Sequence, residues 1–401
     1  MNIKIKFLAK EYLTSDIAII VYISVAKLLI HLYSNAFANY GIFRDELYYI
    51  ACSKRLDIGY VDQPPLASYI MAFSRMIIGD SVFAIRSLPA IASAMTVFVT
   101  GAITRELGGK RFAVTISCLA VTFSLIHLAM FTFFSMNAFD ILFWTISFYL
   151  VIKLIKGSTS KLWLLLGVLM GLGLMNKITF LWFGLGLFVG LLATVSRKEL
   201  KTARPFLACL IALFIFLPYI IWNIQNDFAH LEFIRTASAE KYSSITPVDF
   251  ILGQFLINNP AVAPVWLAGL YFFFFNESGK KFKLLGFIFL TSFTVLVVNW
   301  HSKPEYLSPA MPILFASGGV MLELISYKKY WNWIKYTITA FVIVFGIVLM
   351  PVVLPILPPQ TYIAYSKSLG IAPSTAEGNT LEELPQFYAD MFGWEEFAKT
   401  I

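Results

Sequence analysis

Long apolar runs, separated by short segments rich in lysine and arginine, set the pattern of this chain from end to end. A helix needs about 20 predominantly apolar residues to cross the hydrocarbon core of a bilayer. Runs of that order predict eleven membrane helices, at residues 17–36, 82–103, 112–131, 135–152, 162–176, 178–195, 205–222, 260–276, 284–299, 307–326 and 336–354. The two that flank Asn176 are short. The first run, Ile17 to Leu32, is followed by no small-residue cleavage site and reads as a retained helix. The predicted fold class is an all-α polytopic membrane protein.

Composition agrees with the pattern. Of 401 residues, 59% are hydrophobic and only 13% charged, against roughly 25% charged in soluble domains. The formal charge of +8 would suggest a nucleic-acid partner only if it clustered on one surface. It is instead distributed by topology. With the N-terminus cytoplasmic, the inner segments hold Lys4, Lys6, Lys10, Arg105, Lys110, Arg111, Lys153, Lys156 and Lys161. They continue with Arg197, Lys198, Lys201, Arg204, Lys280, Lys281, Lys283, Lys328, Lys329 and Lys335, which brings the inner total to 19 of the 31 basic residues. That bias orients the chain by the positive-inside rule and places about 17 of the 23 acidic residues outside. Cys52, Cys118 and Cys209 show no metal-ligand spacing, the four histidines are scattered, and no Gly-rich phosphate loop follows a strand.

Three outer segments exceed turn length. The first outer loop, 36–81, carries two amphipathic pieces, Glu46–Ala51 and Leu66–Met76, suited to helices lying in the interface and parted by Pro64-Pro65. The second, Asn223–Asn259, reads as a cover over the outer face. The third, 355–401, follows the 1–354 membrane unit, turns acidic after a Pro-rich start, and reads as an extracytoplasmic tail or the start of a soluble domain.

Charges against a bilayer are costly and persist mainly where they act. Arg44, Asp45, Glu46 and Asp62 all fall in the first outer loop. Adjacent carboxylates outside a membrane can deprotonate an acceptor hydroxyl, or hold a cation against a lipid-linked phosphate. Equally, an Asp-Glu pair can be a solvated helix start. A phosphate leaving group needs positive charge, and Arg44, Lys177, His301 and Lys303 are the outer cations placed to supply it. Lys177 could instead be a snorkelling helix-end lysine, and His301–Tyr306 a solvated turn. Asp140, in Ser135-Met136-Asn137-Ala138-Phe139-Asp140, is open to three roles: second base, metal carboxylate, or favourable N-terminal charge.

Several segments together resemble the bacterial polyprenyl-phosphate glycosyltransferases related to the dolichyl-phosphate-mannose protein mannosyltransferases, a family of GT-C fold. They are Phe43–Tyr49, Asp57–Leu66 (Asp-Ile-Gly-Tyr-Val-Asp-Gln-Pro-Pro-Leu), Gly79-Asp80-Ser81, Arg105–Gly109, Ser302–Ala310, and Leu384-Pro385-Gln386 through Phe392-Gly393-Trp394-Glu395. The resemblance implies an inner-membrane, inverting enzyme that takes a sugar from a polyprenyl-phosphate donor in the outer leaflet and gives it to an extracytoplasmic acceptor. It places the catalytic acid on Asp45 and its partner on Glu46. Donor-phosphate contacts are expected at Arg44, Lys177, His301, Lys303 and Tyr306, with support from Asp62, Gln63, Asn137 and Asp140. A divalent metal between Asp45 and Asp140 is the expected cofactor if one is used. Two departures stand out. Gln63 sits where relatives commonly carry His, and the chain stops soon after the Phe-Gly-Trp-Glu element. The competing readings are a transporter or flippase of a lipid-linked substrate, and a degenerate, non-catalytic homologue. A transporter would show broken helices or midplane charges in repeated halves.

Overall fold

The computed structural model describes residues 15–37, 40–241, 245–373 and 382–400. All regular structure among them is helical. Seven helices are long and apolar enough to cross a membrane: α1 (Asp16–Phe37), α4 (Val82–Glu106), α7 (Met136–Ile155), α10 (Arg204–Gln225), and the stretches Lys280–Val298, Pro304–Ser326 and Lys329–Val353. Two further pairs cross only if each is one bent span: Ile178–Ala193 with Val195–Lys201, bent by 106°, and Pro247–Ile257 with Pro260–Phe275, bent by 92°. By length and composition the described residues thus hold seven to nine such spans, against the eleven expected.

The other two expected spans fall short for a physical reason. The 112–131 run breaks at Ser124, whose extended backbone (ψ 123°) separates α5 (Arg111–Phe123) from the short α6 (Leu125–Ala129). The 162–176 run forms α8 (Leu162–Asn176), 15 residues, and stops where Lys177 turns extended. The apolar pattern placed the stop at Asn176 and did not reveal the break at Ser124. The segment between α1 and α4 forms the two expected short helices, α2 (Arg44–Lys54) and α3 (Leu66–Ile77).

Burial orders the bundle. In the most apolar 18 residues of Pro304–Ser326, 89% of positions are buried and the stretch runs through the centre, whereas in those of Lys329–Val353 11% are buried and that stretch lies at the edge. The central stretch ends in α15 (Met311–Ser326), which packs on α5 and on α13 (Ala263–Phe275). Contact with α13 is made through glycines. A Cβ on Gly318 would lie 1.8 Å from the Val265 carbonyl oxygen, and one on Gly269 would lie 2.2 Å from that of Leu314. Small residues let backbones approach closely where lipid supplies no hydrophobic drive between helices. Gly318→Ala should therefore force the pair apart and cost about 1–3 kcal/mol, read as a lower melting midpoint of the solubilised protein. Gly184→Ala meets only the flexible Met170 Cε at 3.2 Å and should leave the midpoint unchanged.

At the two ends of the bundle the polar residues separate. One end carries Glu106, with Lys153 and Lys156 against it, and Glu323, which accepts from the backbone N–H groups of Lys110, Phe112 and Ala113 at the start of α5. The segment carrying α2 and α3 and every predicted site residue gather at the other. The described part of the 355–401 segment also folds onto this second end. Tyr362, Tyr388 and Met391 are buried with Tyr40, Phe43 and Phe133, and the Arg44 N–H donates to the Asp390 carbonyl at 3.1 Å. Ser374 and its neighbours through 381 lie outside the described residues.

Candidate active site

The loop is held by an ion pair that the residue pattern did not disclose. Arg86, near the start of α4, points into the protein with essentially no exposure and grips Glu46 with two bonds, Nε to Oε1 at 2.9 Å and Nη2 to Oε2 at 2.7 Å. Glu46 Oε2 also accepts from the Phe43 N–H at 2.9 Å, and Oε1 from the Phe134 N–H at 2.8 Å. A carboxylate has about four lone-pair sites, and all four are used. The second Arg86 Nη2 bond reaches the Gly41 carbonyl at 2.9 Å. Glu46 thus joins α2, α4 and the start of α7, with no site left for a substrate proton. The arrangement suits a residue that positions the loop carrying Asp45, where a catalytic partner of Asp45 was expected. The available signal was an arginine five residues into an apolar run, where a charge is costly unless paired.

Asp45 is turned the other way. Its side chain is 49% exposed, with the Arg44 Nε at 3.4 Å. Arg44 is shared, because its Nη1 also meets Asp390 Oδ2 at 3.2 Å. One helical turn beyond Asp45, the Tyr48 hydroxyl donates to Asp62 Oδ1 at 2.6 Å. Burial pushes the Asp62 carboxyl above its ordinary range, with the Tyr48 hydrogen bond and the nearby His230 opposing that shift. Burial likewise pushes His230 down, and its Nδ1 lies 3.0 Å from the Val61 carbonyl oxygen. Gln63 is 1% exposed, and both of its amide atoms lack a protein partner.

A second group forms around Lys177. Its ammonium donates to Asn137 Oδ1 at 2.6 Å and lies 5.0 Å from the centre of the Tyr306 ring. Asp140, Glu305 and Lys303 are close enough to act on it electrostatically, and burial lowers its pKa while the two carboxylates oppose that. Asp140 is 1% exposed, and its Oδ1 has no hydrogen-bond partner. The two groups meet at the start of α7. There the Met136 N–H donates to the Tyr49 hydroxyl at 3.2 Å, and the Met136 carbonyl accepts from Asn176 Nδ2 at 2.8 Å. The structure thus brings together Asp45, Arg44 and Asp62 on one side, and Asn137, Asp140, Lys177, Lys303 and Tyr306 on the other. His301 contributes its backbone N–H to Asn299 Oδ1, and its Nδ1 is buried without a partner. Asn176, Tyr48, Tyr49, Glu305 and Asp390 complete the site and were not singled out as site residues from the sequence.

The described residues contain no group of three or more His, Cys, Asp or Glu side chains poised to hold a metal ion. Asp140 lies close enough to the Lys177 ammonium to act on it electrostatically.

Residues 62–222 match the family described as dolichyl-phosphate-mannose-protein mannosyltransferase. The fold is similar to that of ArnT from Cupriavidus metallidurans in the apo state, with a TM-score of 0.63 at 14% identity over 87% of this chain and 76% of that one. The likeness shows that this chain shares the fold of ArnT. The same ArnT bound to undecaprenyl phosphate gives a TM-score of 0.60 at 12% identity, over 88% of this chain and 76% of that one. The Archaeoglobus fulgidus oligosaccharyltransferase gives 0.55 at 13% identity over 92% of this chain and 57% of that one. Among curated proteins, the lipid A galacturonosyltransferase RgtD of Rhizobium johnstonii is 22% identical over 306 residues, 74% of this chain. The chain spans 63% of that relative's length. The matched family region contains Asp62, Gln63, Asn137, Asp140 and Lys177, and begins after Asp45.

Proposed function

We propose that this protein is a membrane glycosyltransferase that moves one sugar from a polyprenyl-phosphate donor to an acceptor hydroxyl on the extracytoplasmic side of a bacterial inner membrane. The observation that carries the reading is the placement of an exposed carboxylate, Asp45, and a buried ammonium, Lys177, at the same end of a GT-C bundle. Asp45 takes the proton as the acceptor oxygen attacks the anomeric carbon from the face opposite the phosphate. The bond from that carbon to the phosphate oxygen breaks, giving a glycosylated acceptor and a free polyprenyl phosphate, and the proton passes from Asp45 to water. The leaving phosphate gains one negative charge, which Lys177, with Tyr306 under it, is placed to offset. Because the protein's own cations serve the phosphate, transfer is expected to survive chelation of divalent metal. The positive-inside bias supports placing the Asp45 end outside. The transporter reading is disfavoured because the carboxylates and cations of the site crowd one end of the bundle.

The test offers membranes carrying the protein a set of polyprenyl-phosphate sugars one at a time and measures donor loss. Consumption of none of them, with the protein folded, would refute the reading. A pH series sharpens it. A lysine whose pKa is lowered by burial loses its proton below the ordinary lysine value of 10.5. Affinity for the phosphate, which depends on the protonated form, should therefore fall with rising pH earlier than a solvent-exposed lysine would allow. Lys177→Arg should move that fall to higher pH, because guanidinium stays protonated. Binding that is flat with pH in both forms would remove Lys177 from the phosphate.

A further inference from the structure

Helix α1 is apolar by composition yet buries a polar stripe of Ser24, Lys27, His31, Ser34 and Asn35, spaced to share one face. Lys27 has no exposed surface, and no ion pair to it occurs among the described residues. Its ammonium donates to the Thr122 carbonyl at 3.1 Å and the His127 carbonyl at 3.3 Å, on either side of the break at Ser124. Where a helix is broken at membrane depth, the freed carbonyls need partners from inside the protein. Asn259 supplies another, with its Nδ2 3.2 Å from the Phe123 carbonyl.

From that break a hydrogen-bonded path runs to the group around Lys177. Ser124 Oγ lies 2.8 Å from His127 Nδ1 and donates to Asn258 Oδ1 at 3.2 Å. Asn258 Nδ2 donates to the Gln254 carbonyl at 3.0 Å. Gln254 Nε2 donates to the Pro304 carbonyl at 2.9 Å, at the head of the Pro304–Ala310 turn that carries Glu305 and Tyr306. The packing there is tight as well, since a Cβ on Gly253 would lie 2.7 Å from Pro304 Cγ. Ser124, His127, Gln254, Asn258 and Asn259 are all buried, so each bond forms out of water, where leaving a partner unmatched is costly.

We propose that Lys27, Asn258 and Gln254 are positioning residues that set the Pro304–Ala310 turn for the donor phosphate, with Lys27 anchoring the broken helix from which the path starts. They act through Tyr306 and its neighbours and do not touch the substrate. The proposal rests on the functional reading above for its ligand, but not for its geometry.

Two measurements on the full-length protein in lipid nanodiscs test it, with undecaprenyl phosphate as the probe and without sugar or acceptor. Hydrogen exchange of the 303–310 amides should speed up in Gln254→Leu, in Asn258→Leu and, remotely, in Lys27→Met, with the melting midpoint monitored for each. Affinity for the probe should fall roughly twofold to thirtyfold in each variant, the span expected for coupling through a packed network. The double variant Lys27→Met/Gln254→Leu should lose less than the product of the single losses, because both act through one path. Unchanged exchange at 303–310 in Gln254→Leu, or strictly multiplicative losses in the double variant, would overturn the proposal. If the native protein binds no undecaprenyl phosphate, the functional reading fails instead, and the exchange measurements still decide the network.

Discussion

Asp45→Asn should reduce sugar transfer by about two to four orders of magnitude, the range supplied by a positioned proton acceptor, while the protein inserts and melts as before. Asparagine keeps the shape of the side chain but cannot take a proton. The fold should not notice the change, because the Asp45 carboxylate is half exposed and its ion pair to Arg44 is 3.4 Å long and open to water. Such exposed pairs contribute about 0–1 kcal/mol. Single-turnover transfer and a melting curve on the same preparation make the check. Near-native turnover by the asparagine variant would take Asp45 out of the mechanism.

Glu46 and Arg86 should respond in the opposite way, through the fold. Their side chains are each 1% exposed, and their bonds join three elements of the site. Removing one member of a buried pair strands the other charge and costs about 3–5 kcal/mol. Arg86→Met should therefore lower the melting midpoint strongly and abolish transfer with it, since the loop that carries Asp45 loses its anchor to α4. Glu46→Gln should also destabilise, because the amide offers only one oxygen to the four groups that now donate to the carboxylate. The double variant should be less damaged than the sum of the two, which a double-mutant cycle on thermal stability measures directly. A Glu46→Gln protein that melts like the native one yet transfers no sugar would restore Glu46 to the chemistry and refute the positioning role.

Much of this protein was legible in its residue pattern, because membrane insertion reads composition one segment at a time. An apolar run of sufficient length and a bias of lysine and arginine are local properties, and they point to the class of fold and to the crowding of charge between the first two long helices. The short helices beside Pro64-Pro65 followed from proline's missing N–H in the same local way. The site residues Asp45, Lys177 and Asp140 stood out because each is a charge that composition alone would exclude.

What the tertiary structure decided is which of these charges stay available. Asp45 and Glu46 are neighbours in sequence and both acids, yet a rotation of about 100° along α2 sends one to solvent and the other into the grip of Arg86, 40 residues away. The helix break at Ser124 was equally hidden, since the carbonyls around it are matched by Lys27 and Asn259, both distant in sequence. The reason is common to both cases. A buried polar group is stable only with partners, and the pattern of apolar residues records burial without recording which distant side chain completes each bond.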